Sequence, residues 1–277
     1  MCGGDVIDSL KHPAVVEARR LLRPVRGAPP AAFLADGCRL VRQAIEGGAG
    51  IEHLFFLDPV EGREAVRLLQ AARAHGLASS RVRRGVFFRV LGLGYETSVQ
   101  VLAVIRRPTG RPVPPAGDGA TILLGERIQD PRNVGVLVRT ADAWPQPHVV
   151  FSGDSADPWT RAAVRSSTGS IFRVPVELPG DLADRVRGLR AQSIRVIGAS
   201  AHAAAACWET DLTGRCALLV GNETEGLSDN LQAACDAVVA IPMRGGAGSF
   251  NVTVAAGVLL YERARQMRAG ARPRPAD

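Results

Sequence analysis

The chain has 277 residues, 46% of them hydrophobic and 22% charged, and its formal net charge is +7 at pH 7. This length allows two domains, each with a core of its own. No apolar stretch reaches the roughly 18 residues that span a bilayer, and residues 1–10 lack a secretory signal pattern, so we expect a cytoplasmic protein with no membrane partner.

The positive charge is compatible with a polyanionic partner such as RNA or DNA, because basic side chains that neutralise phosphates release counterions. Lys11 is the only lysine, however, and an arginine-rich coding bias would explain the same charge. The five cysteines form no C-x-x-C pair and the five histidines are scattered singly, so we expect neither a disulfide framework nor a metal site.

The first part of the chain has the pattern of a small α/β domain. Its predicted elements are a helix at 13–23, a strand at 32–34, a helix at 39–46, a strand at 51–57, a helix at 61–74 and a strand at 99–105. The stretch 106–119 then interrupts the alternation with four prolines and three glycines. Such a composition is typical of an interdomain linker.

After the linker, apolar runs at 121–124, 148–151, 194–198, 217–220 and 237–241 alternate with helical patterns. This alternation predicts a parallel sheet covered on both faces, followed by a last helix at 252–267. We therefore divide the chain into an α/β domain at 1–106, a linker at 107–118, a second α/β domain at 119–270 and a disordered tail at 271–277.

The loop 125–135 follows the first strand of the second domain and leads into a helix. Arg139 lies off the apolar face of that helix, one turn after Gly135. Because Gly135 has no side chain, it leaves the Arg139 guanidinium open to approach. From spacing alone, Asn133 as a helix N-cap and Arg139 as a solvated residue remain the alternative.

Two further loops follow strands of the same sheet. The loop 219–227 places Asn222, Glu223 and Glu225 between Gly221 and Gly226, which is richer in polar groups than a simple connection needs. The loop 241–251 is rich in glycine and leads directly into the last helix, where backbone N–H groups could hold an anion. Ligands of such sheets bind at the carboxyl ends of the strands, which is where all three loops lie.

The three loops contain three distinctive stretches: Asp130-Pro131-x-Asn133-x-Gly135 with Arg139-Thr140-Ala141, then Val220-Gly221-Asn222-Glu223-x-x-Gly226-Leu227, then Ile241-Pro242-Met243 with Ser249-Phe250-Asn251-Val252. Taken together, these stretches resemble the motifs of the SpoU/TrmH family of RNA 2′-O-ribose methyltransferases, within the SPOUT superfamily. Residues 33–41 resemble, more weakly, the substrate-binding domain that precedes this fold in many members.

The resemblance implies a C-terminal α/β trefoil-knot SPOUT domain with a parallel sheet, preceded by a small α/β domain that binds the RNA substrate. It also implies a homodimer, whose active site is completed near the partner subunit. The cofactor would be S-adenosylmethionine, held bent in a pocket formed by the second and third loops. The cofactor-binding residues implied are Leu219, Val220, Gly221, Asn222, Gly226, Ile241, Met243, Ser249, Phe250 and Asn251.

Methyl transfer to a ribose 2′-hydroxyl requires stabilisation of the alkoxide that develops as the proton leaves. The resemblance assigns this catalytic importance to Arg139. A guanidinium has no lone pair to offer, so we expect Arg139 to donate hydrogen bonds to the oxyanion or the adjacent phosphate while another group or water accepts the proton. The supporting catalytic residues implied are Asn133, Glu223, Ser249 and Asn251.

Four arginines are the candidate RNA-binding residues: Arg132, Arg139, Arg161 and Arg165. Arg161 and Arg165 lie four apart in a predicted helix and could face one phosphate-binding surface. Two solvated arginines on an outer helix face are the alternative, and the resemblance favours RNA binding at Arg165.

The function expected from the resemblance is transfer of a methyl group from S-adenosylmethionine to a ribose 2′-hydroxyl of structured RNA. Members of the family modify tRNA or large-subunit rRNA, the latter being favoured here, and some confer antibiotic resistance. A non-catalytic RNA-binding SPOUT protein is the main alternative. The presence of all five implied catalytic residues argues against it: Asn133, Arg139, Glu223, Ser249 and Asn251. A nucleotide-binding or oxidoreductase function is disfavoured because the chain lacks a Walker loop and a G-x-G-x-x-G after either first strand.

Overall fold

The computed structural model describes residues 6–22, 30–91, 98–109, 117, 119–246 and 248–270. Most of the predicted linker and the whole predicted tail at 271–277 lie outside these residues. The elements, in chain order, are α1 (Pro13–Leu21), β1 (Ala32–Asp36), α2 (Cys38–Glu46), β2 (Ile51–Asp58), α3 (Arg63–Ala74), β3 (Ser79–Arg83), α4 (Arg84–Leu91), β4 (Val101–Arg106), β5 (Thr121–Gly125), α5 (Pro131–Asp142), β6 (Pro147–Phe151), α6 (Arg161–Ser166), a 3-10 turn (Ser170–Phe172), β7 (Val176–Glu177), α7 (Leu182–Ala191), β8 (Arg195–Ala199), β9 (Ala205–Ala206), β10 (Cys216–Val220), α8 (Asp229–Ala234), β11 (Ala237–Ala240) and α9 (Val252–Gly270).

The chain divides into two units, each with its own sheet. The first unit comprises Met1–Thr109 together with Trp159–Phe172, and the second comprises Gly110–Pro158 together with Arg173–Asp277. Our sequence-based division followed the linker alone and placed α6 with the second domain. The structure groups α6 with the first unit, while the functional domain boundaries themselves stay a prediction.

The first unit contains a mixed sheet of order β1-β4-β2-β3. β4 runs antiparallel to both β1 and β2, whereas β2 and β3 are parallel. The central strands are apolar because both of their faces are covered, and Phe55 and Leu102 are fully buried. The sequence analysis missed β3 and α4. In β3, Val82 is the one fully buried residue, so the strand shows no apolar alternation.

The second unit contains a sheet of order β7-β6-β5-β10-β8-β11-β9, in which every neighbouring pair is parallel. This arrangement confirms the predicted parallel sheet. Every residue of β5 and β10 is buried, as expected for strands covered on both faces. The trefoil knot implied by the resemblance stays a prediction, because strand order alone does not establish how the chain is threaded.

The last helix, α9, is fixed to the sheet by a buried arginine. Arg263 donates hydrogen bonds to the carbonyl oxygens of Ala120 at 3.0 Å and Gly214 at 3.1 Å, next to the starts of β5 and β10. Its Nε lies 3.2 Å from the Cys216 sulfur. These contacts satisfy a buried cation and hold α9 against the two central strands, so the loop before α9 lies at the opposite, carboxyl edge of the sheet.

In the part of the chain that the structure describes, no helix is both long enough and apolar enough to cross a bilayer. The same residues contain no group of three or more histidine, cysteine, aspartate or glutamate side chains placed to hold a metal ion.

Candidate functional site at the carboxyl edge of the parallel sheet

The turn after β5 is shaped by the N-cap of α5. Asp130 caps the helix, accepting a hydrogen bond from the Arg132 backbone N–H at 2.8 Å, and Pro131 occupies the first helical position. Asn133 is therefore inside the first turn and is not the N-cap that spacing alone allowed. Its side chain is consequently available for contacts outside the helix.

The turn after β10 brings two glycines together. Asn222 and Gly226 exchange two backbone hydrogen bonds of 3.0 Å, and the Asn222 side chain accepts from the N–H groups of Thr224 and Glu225. A Cβ atom on Gly221 would lie 2.3 Å from the Gly226 carbonyl carbon, so no larger residue fits there. Gly226 has a φ of +71°, which favours glycine. The two glycines thus have separate physical reasons for being in this turn.

One side chain from each of the three loops joins a polar network. The Asn133 amide donates to Glu223 Oε1 at 2.8 Å, and the Asn251 amide lies 3.4 Å from Asn133 Oδ1. Glu223 also accepts from the backbone N–H groups of Gln129 and Asp130. Asn251 in turn caps α9, because its Oδ1 accepts from the Thr253 N–H at 2.9 Å. The network therefore fixes the three loops relative to one another.

A second set of contacts, which the sequence analysis missed, links the first two loops. The buried Glu126 carboxylate accepts from the Ser228 N–H at 2.8 Å, at the N-terminus of α8. Arg127 binds Glu225 at 2.5 Å, and its carbonyl accepts from the Asn222 amide at 2.8 Å. The sequence signal for these contacts was weak, because a charged pair directly after a strand is common in surface loops.

Hydrogen bonds in the network lower the pKa of the Glu223 carboxyl group. Burial alone would raise the pKa of this carboxyl group, but hydrogen bonds from the Asn133 amide and from nearby backbone N–H groups outweigh it, so the net pKa is lowered. A carboxyl whose pKa is lower in the folded state stabilises the fold at pH values above the unfolded pKa of about 4.3. That stabilisation is lost as the pH falls through the folded-state pKa.

We therefore expect Glu223→Gln to lower the unfolding free energy by about 1–2 kcal/mol at pH 7, since hydrogen bonds to a charged group contribute about 1.5–3 kcal/mol and this carboxylate is only partly buried. The difference in unfolding free energy between this variant and the unsubstituted protein should shrink as the pH falls below about 4. Urea unfolding at several pH values measures this, with Glu61→Gln as control, because Glu61 is exposed and lies outside the network. A difference that stayed constant down to pH 3 would contradict the account.

A cavity of about 450 Å³ lies beside the network in the second unit. Its walls combine apolar side chains with amide, hydroxyl and carboxylate groups, which is typical of a site for a small polar molecule. The predicted site residues that line it are Val220, Gly221, Asn222, Glu223, Gly226, Ile241, Met243, Ser249 and Phe250.

Leu219 and Asn251, which we also predicted to bind the cofactor, do not line this cavity. Leu219 is fully buried within β10, and Asn251 faces Asn133 in the network. The cavity is also lined by Ser200, His202 and Gln232, which the sequence analysis did not single out. Ser200 and His202 directly follow β8, so the rule that ligands bind at carboxyl strand ends could have found them.

The four predicted RNA-binding arginines are divided between the two units. Arg139 is exposed in the last turn of α5, and within the described residues it has no hydrogen-bond or ion-pair partner and does not line the cavity. Arg132 forms an ion pair with Asp130 at 2.7 Å. Arg161 and Arg165 belong to the first unit, where both lie near Asp36.

Comparisons with known proteins agree with this arrangement. Residues 120–261 match the model of the SpoU rRNA Methylase family. The chain is 34% identical over 246 residues to the 23S rRNA (uridine(2479)-2′-O)-methyltransferase of Streptomyces viridochromogenes, covering 86% of this chain and 84% of that protein. It is 28% identical to the 23S rRNA (guanosine(2553)-2′-O)-methyltransferase of Bacillus subtilis, covering 92% and 97%.

Solved structures show the same similarity across both units. The SpoU methyltransferase AviRb from Streptomyces viridochromogenes, in complex with the cofactor AdoMet, superposes with a TM-score of 0.78 at 30% identity, covering 92% of this chain and 98% of that one. The family match, the relative matched over most of its length and the shared fold lead to one conclusion. The chain belongs to the SpoU rRNA methylase family.

Proposed function

We propose that this protein transfers the methyl group of S-adenosylmethionine to a ribose 2′-hydroxyl of RNA. The observation that carries the proposal is the Glu223–Asn133–Asn251 network, which joins the three family motifs beside a ligand-sized cavity. A non-catalytic RNA-binding protein would need the basic surface but would not need this network or the cavity.

The residues around the cavity fit the proposed cofactor. About 450 Å³ falls within the range of roughly 300–1,000 Å³ that is usual for small-molecule sites. The absence of a side chain on Gly221 keeps the turn after β10 tightly closed, so that backbone groups can approach a ligand. Ile241, Met243 and Phe250 offer apolar contacts for an adenine ring, and Ser249 and Asn222 offer polar ones. When bound, S-adenosylmethionine would supply an electrophilic methyl group on its sulfonium.

The chain's own residues would orient and stabilise the reacting groups. Asn133 and Glu223 hold the loop before α5 in a fixed position, and α5 carries Arg139. Arg139 donates hydrogen bonds to the developing 2′-alkoxide or to the adjacent phosphate, and a water molecule or another group accepts the proton. Because Arg139 lies outside the cavity of one chain, we propose that the active site is completed at a second copy.

Large-subunit rRNA is the favoured substrate, and we propose that the protein modifies it in the cytoplasm. Two relatives that match over most of their length are named 23S rRNA 2′-O-methyltransferases, one for a uridine and one for a guanosine. These names support 23S rRNA as the kind of substrate and the ribose 2′-hydroxyl as the methyl acceptor. They differ in the nucleotide that is methylated.

Two measurements on the purified protein test the proposal. Calorimetry should detect binding of S-adenosylhomocysteine and no binding of NAD. Incubation with methyl-labelled S-adenosylmethionine and deproteinised 23S rRNA should then transfer label to the RNA. Cofactor binding without any transfer to rRNA or tRNA would instead support the non-catalytic alternative.

We also propose that the protein is a homodimer. Tyr261, which is 66% exposed, and Val254 are large apolar side chains on the solvent side of α9, where a second copy would cover them. Light scattering should give about twice the single-chain mass of 29.3 kDa. Tyr261→Arg should reduce the mass to that of one chain, because like charges would meet across the two-fold axis. Trp208→Arg, at another exposed aromatic residue, is the control and should leave the dimer intact.

A further inference from the structure

A buried carboxylate in the first unit lies close to two arginines. Asp36, the last residue of β1, has a side chain that is 1% exposed. Its Oδ1 accepts a hydrogen bond from Arg161 Nε at 2.7 Å, and its Oδ2 lies 3.9 Å from Arg165 Nη1. The arginine side chains differ in exposure, at 22% for Arg161 and 56% for Arg165. The two arginines that sequence spacing treats as equivalent are therefore in different environments.

The segment that carries both arginines is packed closely against β1 and α2 of the same unit. The Phe33 ring on β1 lies 4.9 Å from the Trp159 ring and 6.4 Å from the Phe172 ring, so it contacts the segment before and after α6. Gly169 has a φ of +98°, and a Cβ there would clash with the Gln43 side chain on α2. Thr160 caps α6 by accepting from the Ala163 N–H. The position of α6 on β1 is thus set by aromatic packing, by a glycine contact and by the Asp36–Arg161 pair.

The charges of these three residues do not balance. One carboxylate can neutralise one guanidinium, and a carboxylate removed from water requires a close, hydrogen-bonded partner. Arg161 meets that requirement through its 2.7 Å contact. Arg165 is farther away and more than half exposed, so its positive charge remains available to an anion from outside.

We infer that Asp36 and Arg161 form an internal ion pair that fixes α6 on β1, and that Arg165 is thereby presented to a phosphate of the RNA substrate. Asp36 and Arg161 are positioning residues in this arrangement, and Arg165 is the phosphate ligand. The inference rests on the proposed function for its partner, because RNA is the polyanion that the reaction supplies.

The alternative is that Arg161 and Arg165 both bind phosphates. The two hypotheses predict different effects of substituting each arginine on RNA binding and on stability. If Arg165 alone binds phosphate, Arg165→Ala should reduce the slope of log affinity against log salt by about 0.7–0.9, as expected for one lost contact. Its melting temperature should change by less than about 2 °C. Arg161→Met should instead lower the melting temperature by about 5 °C or more, since it leaves Asp36 buried without its partner.

A double variant separates positioning from binding even if Arg161→Met folds poorly. Asp36→Leu combined with Arg161→Met replaces the ion pair with an apolar contact, which often restores stability. We expect the melting temperature of this variant to return most of the way to that of the unsubstituted protein. The slope of its log RNA affinity against log salt should equal that of the unsubstituted protein. Arg42→Ala is the control, because Arg42 is similarly exposed at 52% and lies near two carboxylates in the same unit.

The experiment measures binding of the full-length variants to deproteinised 23S rRNA at several salt concentrations, with thermal unfolding in parallel. The inference is supported if Arg165→Ala lowers the salt slope while the double variant and Arg42→Ala do not. It is overturned if the double variant loses as much slope as Arg165→Ala, or if Arg165→Ala leaves the slope unchanged. A wild-type protein that bound this RNA but transferred no methyl group would contradict the proposed function and leave the comparison of the arginines valid.

Discussion

Arg139→Ala should slow single-turnover methyl transfer by about a hundred- to a thousandfold, because losing one preorganised donor to a developing oxyanion costs roughly 2.7–4 kcal/mol. Binding of S-adenosylhomocysteine should be unchanged, since Arg139 does not line the cavity formed by the described residues. Stability should change by no more than about 0.5 kcal/mol, because the side chain is exposed. Quenched-flow transfer of labelled methyl to RNA, with calorimetry of cofactor binding, measures both effects.

Two further variants sharpen this result. Arg139→Lys keeps the charge but not the planar fork of donors, so it should recover only part of the activity. Arg132→Ala removes another exposed arginine of the same helix, one that is paired with Asp130, and should reduce the rate far less. Near-normal turnover in Arg139→Ala would remove this residue from the mechanism.

Gly221→Ala should weaken binding of S-adenosylhomocysteine by roughly a hundredfold. The added Cβ would lie 2.3 Å from the Gly226 carbonyl carbon and 2.4 Å from the Leu227 nitrogen, and both neighbours are backbone atoms that cannot rotate away. The turn must shift to relieve these contacts, which displaces backbone groups that line the cavity. Restoring the binding geometry should then cost the upper end of the about 1–3 kcal/mol that is typical of overpacking, because hydrogen bonds hold the turn at both ends, and this corresponds to about a hundredfold in affinity.

The matched control is Gly188→Ala on α7, where nothing lies within 4 Å of the added Cβ. Alanine in a helix interior is favoured over glycine by about 0.5–1 kcal/mol, so this variant should be slightly more stable and bind the cofactor normally. Calorimetric titration of both variants gives the comparison. Unchanged affinity in Gly221→Ala would show that the turn after β10 does not shape the binding site.

Local patterns in the sequence predicted the longer elements, because apolar runs mark strands that are covered on both faces. Of the seven strands that the described residues form in the second sheet, five were predicted in this way, with boundaries shifted by one residue at most. The other two, β7 and β9, have two residues each, too few to show any periodicity. The predicted parallel sheet and the family assignment were both confirmed.

Contacts between distant residues could not be predicted from local patterns. Asp36 and Arg161 are separated by 125 residues, and nothing near either one indicates that they pair. That contact is one of several that place α6 in the first unit. Asp130 rather than Asn133 caps α5, since a proline at the first helical position sets the start of the helix, and this leaves Asn133 free to bind Glu223. The resemblance named both residues of that pair but gave no geometry.

The most direct test of the account is to identify the methylated atom. RNA modified by the purified protein with labelled S-adenosylmethionine should be hydrolysed in alkali, which cleaves next to every nucleotide with a free 2′-hydroxyl. We predict that the label will be recovered in alkali-resistant dinucleotides from a single position of 23S rRNA. Label recovered in mononucleotides would place the methyl group on a base, and would contradict a 2′-O-ribose methyltransferase.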